Sequence, residues 1–163
     1  MPHGRRATVA AWLMALTLLG AGAALAATTT ATLTVTATVR SGCSVDNATL
    51  DFGTYTSGQT TDLDSTGSLR LRNCQGSAPI VVELGPGGSG NVSDRRMSSG
   101  NNSLRYQLYR DSARSQVWGT GTNAAQFQVL NADTQVQVFG RIPKSQTVPA
   151  GTYADTVTIT VTF

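Results

Sequence analysis

Apolar and polar residues alternate along most of the chain, and a two-residue period of this kind indicates half-buried β-strands. Eight segments carry it, near residues 30–40, 48–53, 67–74, 79–84, 104–110, 125–130, 134–142 and 153–163. Stretches rich in Gly, Ser, Asn and Pro separate them, among them GPGGSGN and VPAG. Helical periodicity is nearly absent after residue 26. The pattern predicts an all-β chain folded as an antiparallel β-sandwich.

The inward-facing positions of these strands supply enough apolar side chains for one core, at about 1.5–3 kcal/mol for each buried side chain. The stretch 85–103 is too rich in Gly and Ser for a core, so we expect a surface loop there, with Arg95 and Arg96 solvated. Trp118 is expected to pack in the core or at an edge rather than to stack on carbohydrate. The predicted core comprises Leu50, Phe52, Leu69, Leu71, Ile80, Val82, Leu84, Leu104, Tyr106, Leu108, Phe127, Val129, Val136, Val138, Ile142, Val157, Ile159 and Val161.

The first 26 residues have the features of a secretory signal peptide. Arg5 and Arg6 form a positive n-region, the apolar run VAAWLMALTLL follows, and ALA at 24–26 fits a cleavage site. An N-terminal membrane anchor is the alternative, but Gly20 and Gly22 interrupt the apolar run. We therefore expect export from the cytoplasm.

Removal of the first 26 of 163 residues leaves 137, enough for one domain. Lys plus Arg falls from 12 to 10 against 9 Asp plus Glu, and the single histidine is lost. A nearly neutral chain without basic clusters does not favour binding to nucleic acid. Without histidine, the usual Ser-His-Asp and Cys-His sites are excluded, and no other constellation indicates an enzyme, a cofactor or a small-molecule substrate.

Cys43 and Cys74 are the only cysteines. Two cysteines in an exported chain are expected to form one disulfide. A metal site is not expected, because neither histidine nor further cysteine is available to complete it.

The two ends of the exported chain complement each other. From Thr28 to Val39 threonine occupies every even position up to 38, and Ala31, Leu33, Val35 and Ala37 lie on the opposite face. A strand of this length is expected to project from the domain, and an unpaired strand is an aggregation hazard unless something receives it. We therefore predict that residues 27–38 are a donor extension and that residues 39–163 form the sandwich.

The C-terminal segment GTYADTVTITVTF indicates a sheet that lacks one strand. If it is the F strand of an immunoglobulin-like sandwich, one further strand is missing beside it. A groove would then lie open beside Val157, Ile159 and Val161, and a chaperone could pair with the backbone from Tyr153 to Phe163. We interpret the ending on Phe163 as leaving this edge accessible. Asp155 is expected to cap or hydrogen-bond a turn after PAG rather than to fix the entry of the F strand.

Several motifs resemble the spore coat protein U domain family, which includes the major subunits of archaic chaperone–usher pili. They are GCSV at 42–45, FG at 52–53, QLYRDSARSQVWG at 107–119 and FGRIPKSQTVPAGTYADTVTITVTF at 139–163, together with the Cys43–Cys74 spacing. The resemblance extends from about residue 33 to 163. The motif that ends the chain is the most specific part, and it matches at Gly151, Tyr153, Asp155, Val157, Ile159, Val161 and Phe163.

The resemblance implies an incomplete immunoglobulin-like domain that lacks its last strand. A periplasmic chaperone would complete it first, and the donor strand of a neighbouring pilin subunit would do so after passage through an outer-membrane usher. The expected site comprises Gly151, Tyr153, Val157, Ile159, Val161 and Phe163, and the expected location is a surface pilus that supports adhesion and biofilm formation. A spore- or cyst-coat protein and an adhesive binding module are the alternatives.

Overall fold

The structure is a computed structural model that describes residues 29–38, 42–74, 79–128 and 132–163. It divides into one unit up to Ala37 and a second unit from Thr38 onward, which are described separately. In the first unit, the described residues 29–37 belong to no helix or strand, and their side chains are exposed. The predicted signal peptide, residues 1–26, lies outside the described residues.

The second unit is built from antiparallel strands, with two short 3-10 turns at Gly87–Ser89 and Gly121–Asn123. The strands are Ser44–Val45 (β1), Leu63–Arg72 (β2), Ile80–Leu84 (β3), Arg95–Ser99 (β4), Asn102–Tyr109 (β5), Ala125–Phe127 (β6), Thr134–Ile142 (β7) and Ile159–Thr162 (β8). Five form a sheet in the order β1-β2-β7-β5-β4, and three form a sheet in the order β6-β3-β8. The predicted all-β sandwich is confirmed.

The alternation along the strands places their apolar face in the core. β2 buries Leu69 and Leu71, β3 buries Ile80, Val82 and Leu84, and β5 buries Leu104, Tyr106 and Leu108. Trp118 is also buried, and its indole nitrogen donates to the carbonyl of Val82 at 2.9 Å, which confirms that it packs in the core. Of the other predicted core residues, Val138 and Ile142 are buried, and Leu50, Phe52, Phe127, Val136, Val157, Ile159 and Val161 are half-buried. Val129 lies outside the described residues.

Two predictions about local structure are wrong. No strand forms at 48–53, because Leu50 and Phe52 lie across the five-stranded sheet instead of extending it. Glycines allow this close approach: a Cβ on Gly67 would lie 2.8 Å from the carbonyl oxygen of Thr49, and one on Gly140 would lie 2.7 Å from the ring of Phe52. Similarly, no strand is present in the described part of 30–40.

The prediction of a solvated loop at 85–103 is also wrong, because this stretch contains β4 and the start of β5. Arg95 is fully buried, and its guanidinium group donates to the carbonyls of Leu84, Gly85 and Trp118 at 2.8–3.0 Å and to Gln107 Oε1 at 2.6 Å. Burial lowers the pKa of Arg95 below its ordinary value. The guanidinium group thus joins β4 to the end of β3, where the ladder gives those carbonyls no partner.

The expected disulfide between Cys43 and Cys74 is present in the structure. It joins the residue before β1 to the residue that closely follows β2, and Gly42 also forms a parallel bridge with Cys74. The start of β1 is therefore covalently attached to the sandwich.

We predict that Arg95→Met lowers the free energy of unfolding by more than about 2 kcal/mol, because buried carbonyls lose their donors. The matched control is Arg96→Met, since Arg96 is part-exposed and pairs with Asp94 near the surface. That change should alter stability by less than about 1 kcal/mol. Urea unfolding of the two variants measures the difference, and equal losses would contradict the assigned role of Arg95.

Replacing Cys43 and Cys74 together with serine should lower the free energy of unfolding by about 3–4 kcal/mol, because the disulfide closes a loop with a sequence separation of 31 residues. Urea unfolding under oxidising conditions provides the measurement. If the wild-type chain with its thiols reduced unfolds at the same urea concentration as the oxidised chain, the disulfide contributes nothing.

Candidate functional site: an open groove beside the last strand

The C-terminal segment passes from one sheet to the other. At Ala154 it pairs with Ser98 of β4, with both backbone hydrogen bonds made at 2.9 and 3.1 Å. From Ile159 it is β8 and pairs with β3, where Thr160 lies opposite Glu83 and Thr162 opposite Val81. The segment therefore follows an edge of each sheet in turn.

β8 is the edge strand of its sheet, and no strand of the described residues pairs with its outer side. Gly85 N–H donates to the carbonyl of Thr158 at 2.8 Å, and Leu84 N–H donates away from β8, to Gly119. In an antiparallel ladder the backbone N–H and C=O groups of successive residues point alternately toward the partner strand and away from it. The backbone groups of Thr158, Thr160 and Thr162 therefore point to β3, and those of Ile159 and Val161 point to the open side.

A groove opens between the two sheets along this edge. Its first part has a volume of about 290 Å³ and is lined by Leu50, Phe52, Leu69, Leu84, Met97, Tyr106, Leu108, Val138, Tyr153, Val157 and Ile159, among others. A second part, of about 500 Å³, shares Leu50, Phe52, Met97 and Tyr153 with the first and extends to Val148 and Gly151. The shared residues make it one continuous groove, lined by these apolar side chains together with polar groups such as Ser68 and Asp155. Val157 and Ile159 are only half-buried because their side chains face this space.

Asp155 holds the segment where it crosses between the sheets. Its Oδ2 accepts a hydrogen bond from the Tyr106 hydroxyl at 2.6 Å, and its Oδ1 accepts from the backbone N–H groups of Gly88 and Thr156 at 2.8 Å. Besides the adjacent Thr156, its partners are in β5 and in the 3-10 turn at Gly87–Ser89, so Asp155 does more than hydrogen-bond the turn after PAG. Burial and the hydrogen bond to Asp155 raise the pKa of Tyr106 above its ordinary value, so its hydroxyl remains a donor at neutral pH.

The structure brings part of the predicted site together. Tyr153, Val157 and Ile159 line the first part of the groove, and Gly151 lines the second. Val161 packs half-buried against the core, and Phe163 is 47% exposed. Sequence reasoning missed the opposite wall, formed by residues 48–52, and the contribution of Met97, which lay in a stretch predicted to be a loop.

The predicted donor residues have the exposure that a binding segment needs. Leu33 and Val35 are 88% and 81% exposed, and Ala31 and Ala37 are exposed as well. Large apolar side chains at such exposure indicate an interaction surface when they form a contiguous stripe.

Among the described residues, no group of three or more His, Cys, Asp or Glu side chains is placed to hold a metal ion. Within the same residues, no helix is long and apolar enough to cross a membrane.

An antiparallel two-sheet sandwich with an unpaired edge strand beside an open core is the architecture of an incomplete immunoglobulin-like domain. The chain belongs to the Spore Coat Protein U domain family, whose sequence model it matches over residues 29–160. It is 39% identical over 136 residues to Protein U of Myxococcus xanthus, covering 75% of each chain.

A solved structure also resembles this chain. It is the CsuC–CsuE chaperone–tip adhesion subunit pre-assembly complex from the archaic chaperone–usher Csu pili of Acinetobacter baumannii, with a TM-score of 0.51 and 25% identity. The match covers 75% of this chain and 39% of the chain in that complex. The family and the fold are therefore those of structural subunits.

We predict that Asp155→Ala increases the amide hydrogen exchange of Gly88 and Thr156 about fivefold, because each loses an acceptor worth about 1 kcal/mol. Asp111→Ala is the matched control, since Asp111 accepts from the backbone N–H groups of Ser115 and Gln116 in a different loop. Its removal should leave Gly88 and Thr156 unchanged. Unchanged exchange of these two amides in Asp155→Ala would contradict the anchoring role.

Proposed function

We propose that this chain is a subunit of a secreted surface pilus and that subunits join by donor-strand exchange. Residues 27–38 of one copy would fill the groove of the next copy and pair antiparallel with β8. The observation that carries the proposal is the unpaired edge of β8 beside an open apolar groove. β-strand addition to such an edge is an established mode of recognition.

The donor segment is long enough for the groove. The ten residues 29–38 would span about 33 Å as a strand, and the groove follows the C-terminal segment from Gly151 to Ile159. Alternate side chains of the donor would enter the groove, and the threonines would face solvent. Burial of Leu33, Val35 and the two alanines would contribute roughly 5–8 kcal/mol before ordering costs are subtracted.

Backbone pairing supports the same assignment. The N–H and C=O groups of Ile159 and Val161 have no strand beside them in the described residues, and an added antiparallel strand would satisfy them. Addition of one strand would thus fill the groove with side chains and also satisfy the free backbone groups of β8. Dissociation would be slow, because a whole strand would have to leave.

Before assembly the same edge would have to be protected, since an exposed apolar edge promotes aggregation. We propose that a periplasmic chaperone occupies the groove first and that an outer-membrane usher then exchanges it for the neighbouring subunit. Likeness to the chaperone–subunit complex supports a chaperone partner. The subunit would pass through the periplasm to the cell surface, where the pili would support adhesion and biofilm formation.

A coat protein is the second candidate. The family description favours it, because the family is that of the Spore Coat Protein U domain. Strand addition could join subunits in a pilus or in a coat, and the two assemblies would differ only in shape. Electron microscopy of purified assemblies distinguishes filaments from sheets or amorphous layers.

The decisive variant is Leu33→Asp combined with Val35→Asp, expressed with the chaperone and usher of its own gene cluster. Two charges cannot be buried unpaired in an apolar groove, so subunits should remain bound to the chaperone. SDS-resistant ladders on unheated gels should disappear. The matched control, Thr32→Asp with Thr34→Asp, places the same charges on the face turned to solvent and should still form ladders. Equal ladders from both variants would contradict the donor assignment.

A further inference from the structure

We propose that Met97 is an oxidation site that controls the groove: a peroxide converts its thioether to a sulfoxide while the groove is open, and the sulfoxide then opposes entry of a donor strand. The proposal rests on the proposed function, because it takes an inserted strand as the occupant of the groove. It adds a chemical control over assembly that is built into β4.

Met97 lies in the middle of β4, where it pairs with the buried Leu104 of β5. Its side chain lines both parts of the groove, a position that it shares with Leu50, Phe52 and Tyr153. It is half-buried, so a small oxidant in the open groove can reach it. A strand that filled the groove would cover it.

Few other side chains of the exported chain react with a mild oxidant. Met97 is the only methionine after residue 26, because the other two lie within the predicted signal peptide. Cys43 and Cys74 are joined in the disulfide, and Trp118 is only 1% exposed. Oxidation by a peroxide would therefore be directed to the groove.

The reaction transfers one oxygen atom. The sulfur of Met97 attacks one oxygen of the peroxide, the O–O bond breaks and an S–O bond forms. The sulfur loses two electrons, and with hydrogen peroxide the departing hydroxide takes the proton of the transferred oxygen and leaves as water. The product is a polar sulfoxide in place of an apolar thioether, and methionine sulfoxide reductases reverse the change.

An inserted strand would leave the sulfoxide oxygen without a hydrogen-bond donor. The hydroxyl groups of Tyr55, Tyr106 and Tyr153, which line the groove, already donate to other acceptors at 2.6–3.2 Å. The alanine, leucine and valine side chains of the donor have no polar groups. Burying a polar group without a partner is unfavourable, whereas water solvates the sulfoxide in the open groove. The modification therefore opposes strand insertion more than folding.

The test compares strand binding by the oxidised and untreated chains. The exported chain, kept monomeric by dilution, is titrated with a fluorescent peptide of residues 27–38, and binding is followed by fluorescence anisotropy. Hydrogen peroxide should add about 16 Da to the tryptic peptide that contains Met97. The affinity for the synthetic peptide should fall about tenfold, because the sulfoxide loses water without gaining a partner. Methionine sulfoxide reductase should restore the affinity.

Met97→Leu is the matched control, because leucine replaces methionine with little change of volume and has no sulfur. Its affinity should equal that of the untreated chain, with or without peroxide. Met97→Gln places a permanent polar group at the same position. It should bind the peptide about tenfold more weakly than the untreated chain, and peroxide should not change its affinity.

Two further measurements separate blocked insertion from unfolding. The oxidised chain should unfold at nearly the same urea concentration as the untreated chain, and peptide bound before treatment should protect Met97 from oxidation. Equal affinities of oxidised and untreated chains overturn the proposal, as do resistance of Met97 to peroxide in the open groove, equal oxidation with the peptide bound, and unfolding of the oxidised chain. Absence of binding by the untreated chain would instead count against the proposed function, and this proposal would fall with it.

Discussion

The structure depends on one constraint: the backbone of β8 is paired on one side and, among the described residues, open on the other. Buried backbone groups must be hydrogen-bonded, and an apolar edge without a partner strand leads to uncontrolled association. The same strand turns Val157 and Ile159 toward an open groove, so backbone and side chains both require one additional strand. We propose that another polypeptide completes this edge and that assembly follows from that requirement.

Two features hold the open edge in a shape that a strand can recognise. Asp155 fixes the crossing between the sheets through Tyr106 and Gly88. Arg95 joins β4 to the end of β3 from inside the core. A groove held open in advance avoids part of the ordering cost of binding, which favours affinity.

The all-β fold and most of the central core could be predicted, because the alternation at Leu69, Leu71, Ile80 and Val82 is a local signal. The wall formed by Leu50 and Phe52 could not, since their position depends on glycines far away in sequence. Arg95 was misassigned because Gly and Ser content suggested solvent, and only the tertiary fold places carbonyl acceptors around its guanidinium group. The alternating faces of residues 29–38 and 153–163 were visible in sequence, but the fit between them remains a proposal.

Amide hydrogen exchange along β8 tests the central claim most directly, because alternate residues point to opposite sides. In the chain with its groove empty, Thr160 and Thr162 should already be protected by β3, whereas Ile159 and Val161 should exchange rapidly. Addition of a synthetic peptide of residues 27–38 should protect Ile159 and Val161 and change Thr160 and Thr162 little. If the peptide binds without protecting Ile159 and Val161, or if these two amides are protected before it is added, the edge of β8 is not the docking site.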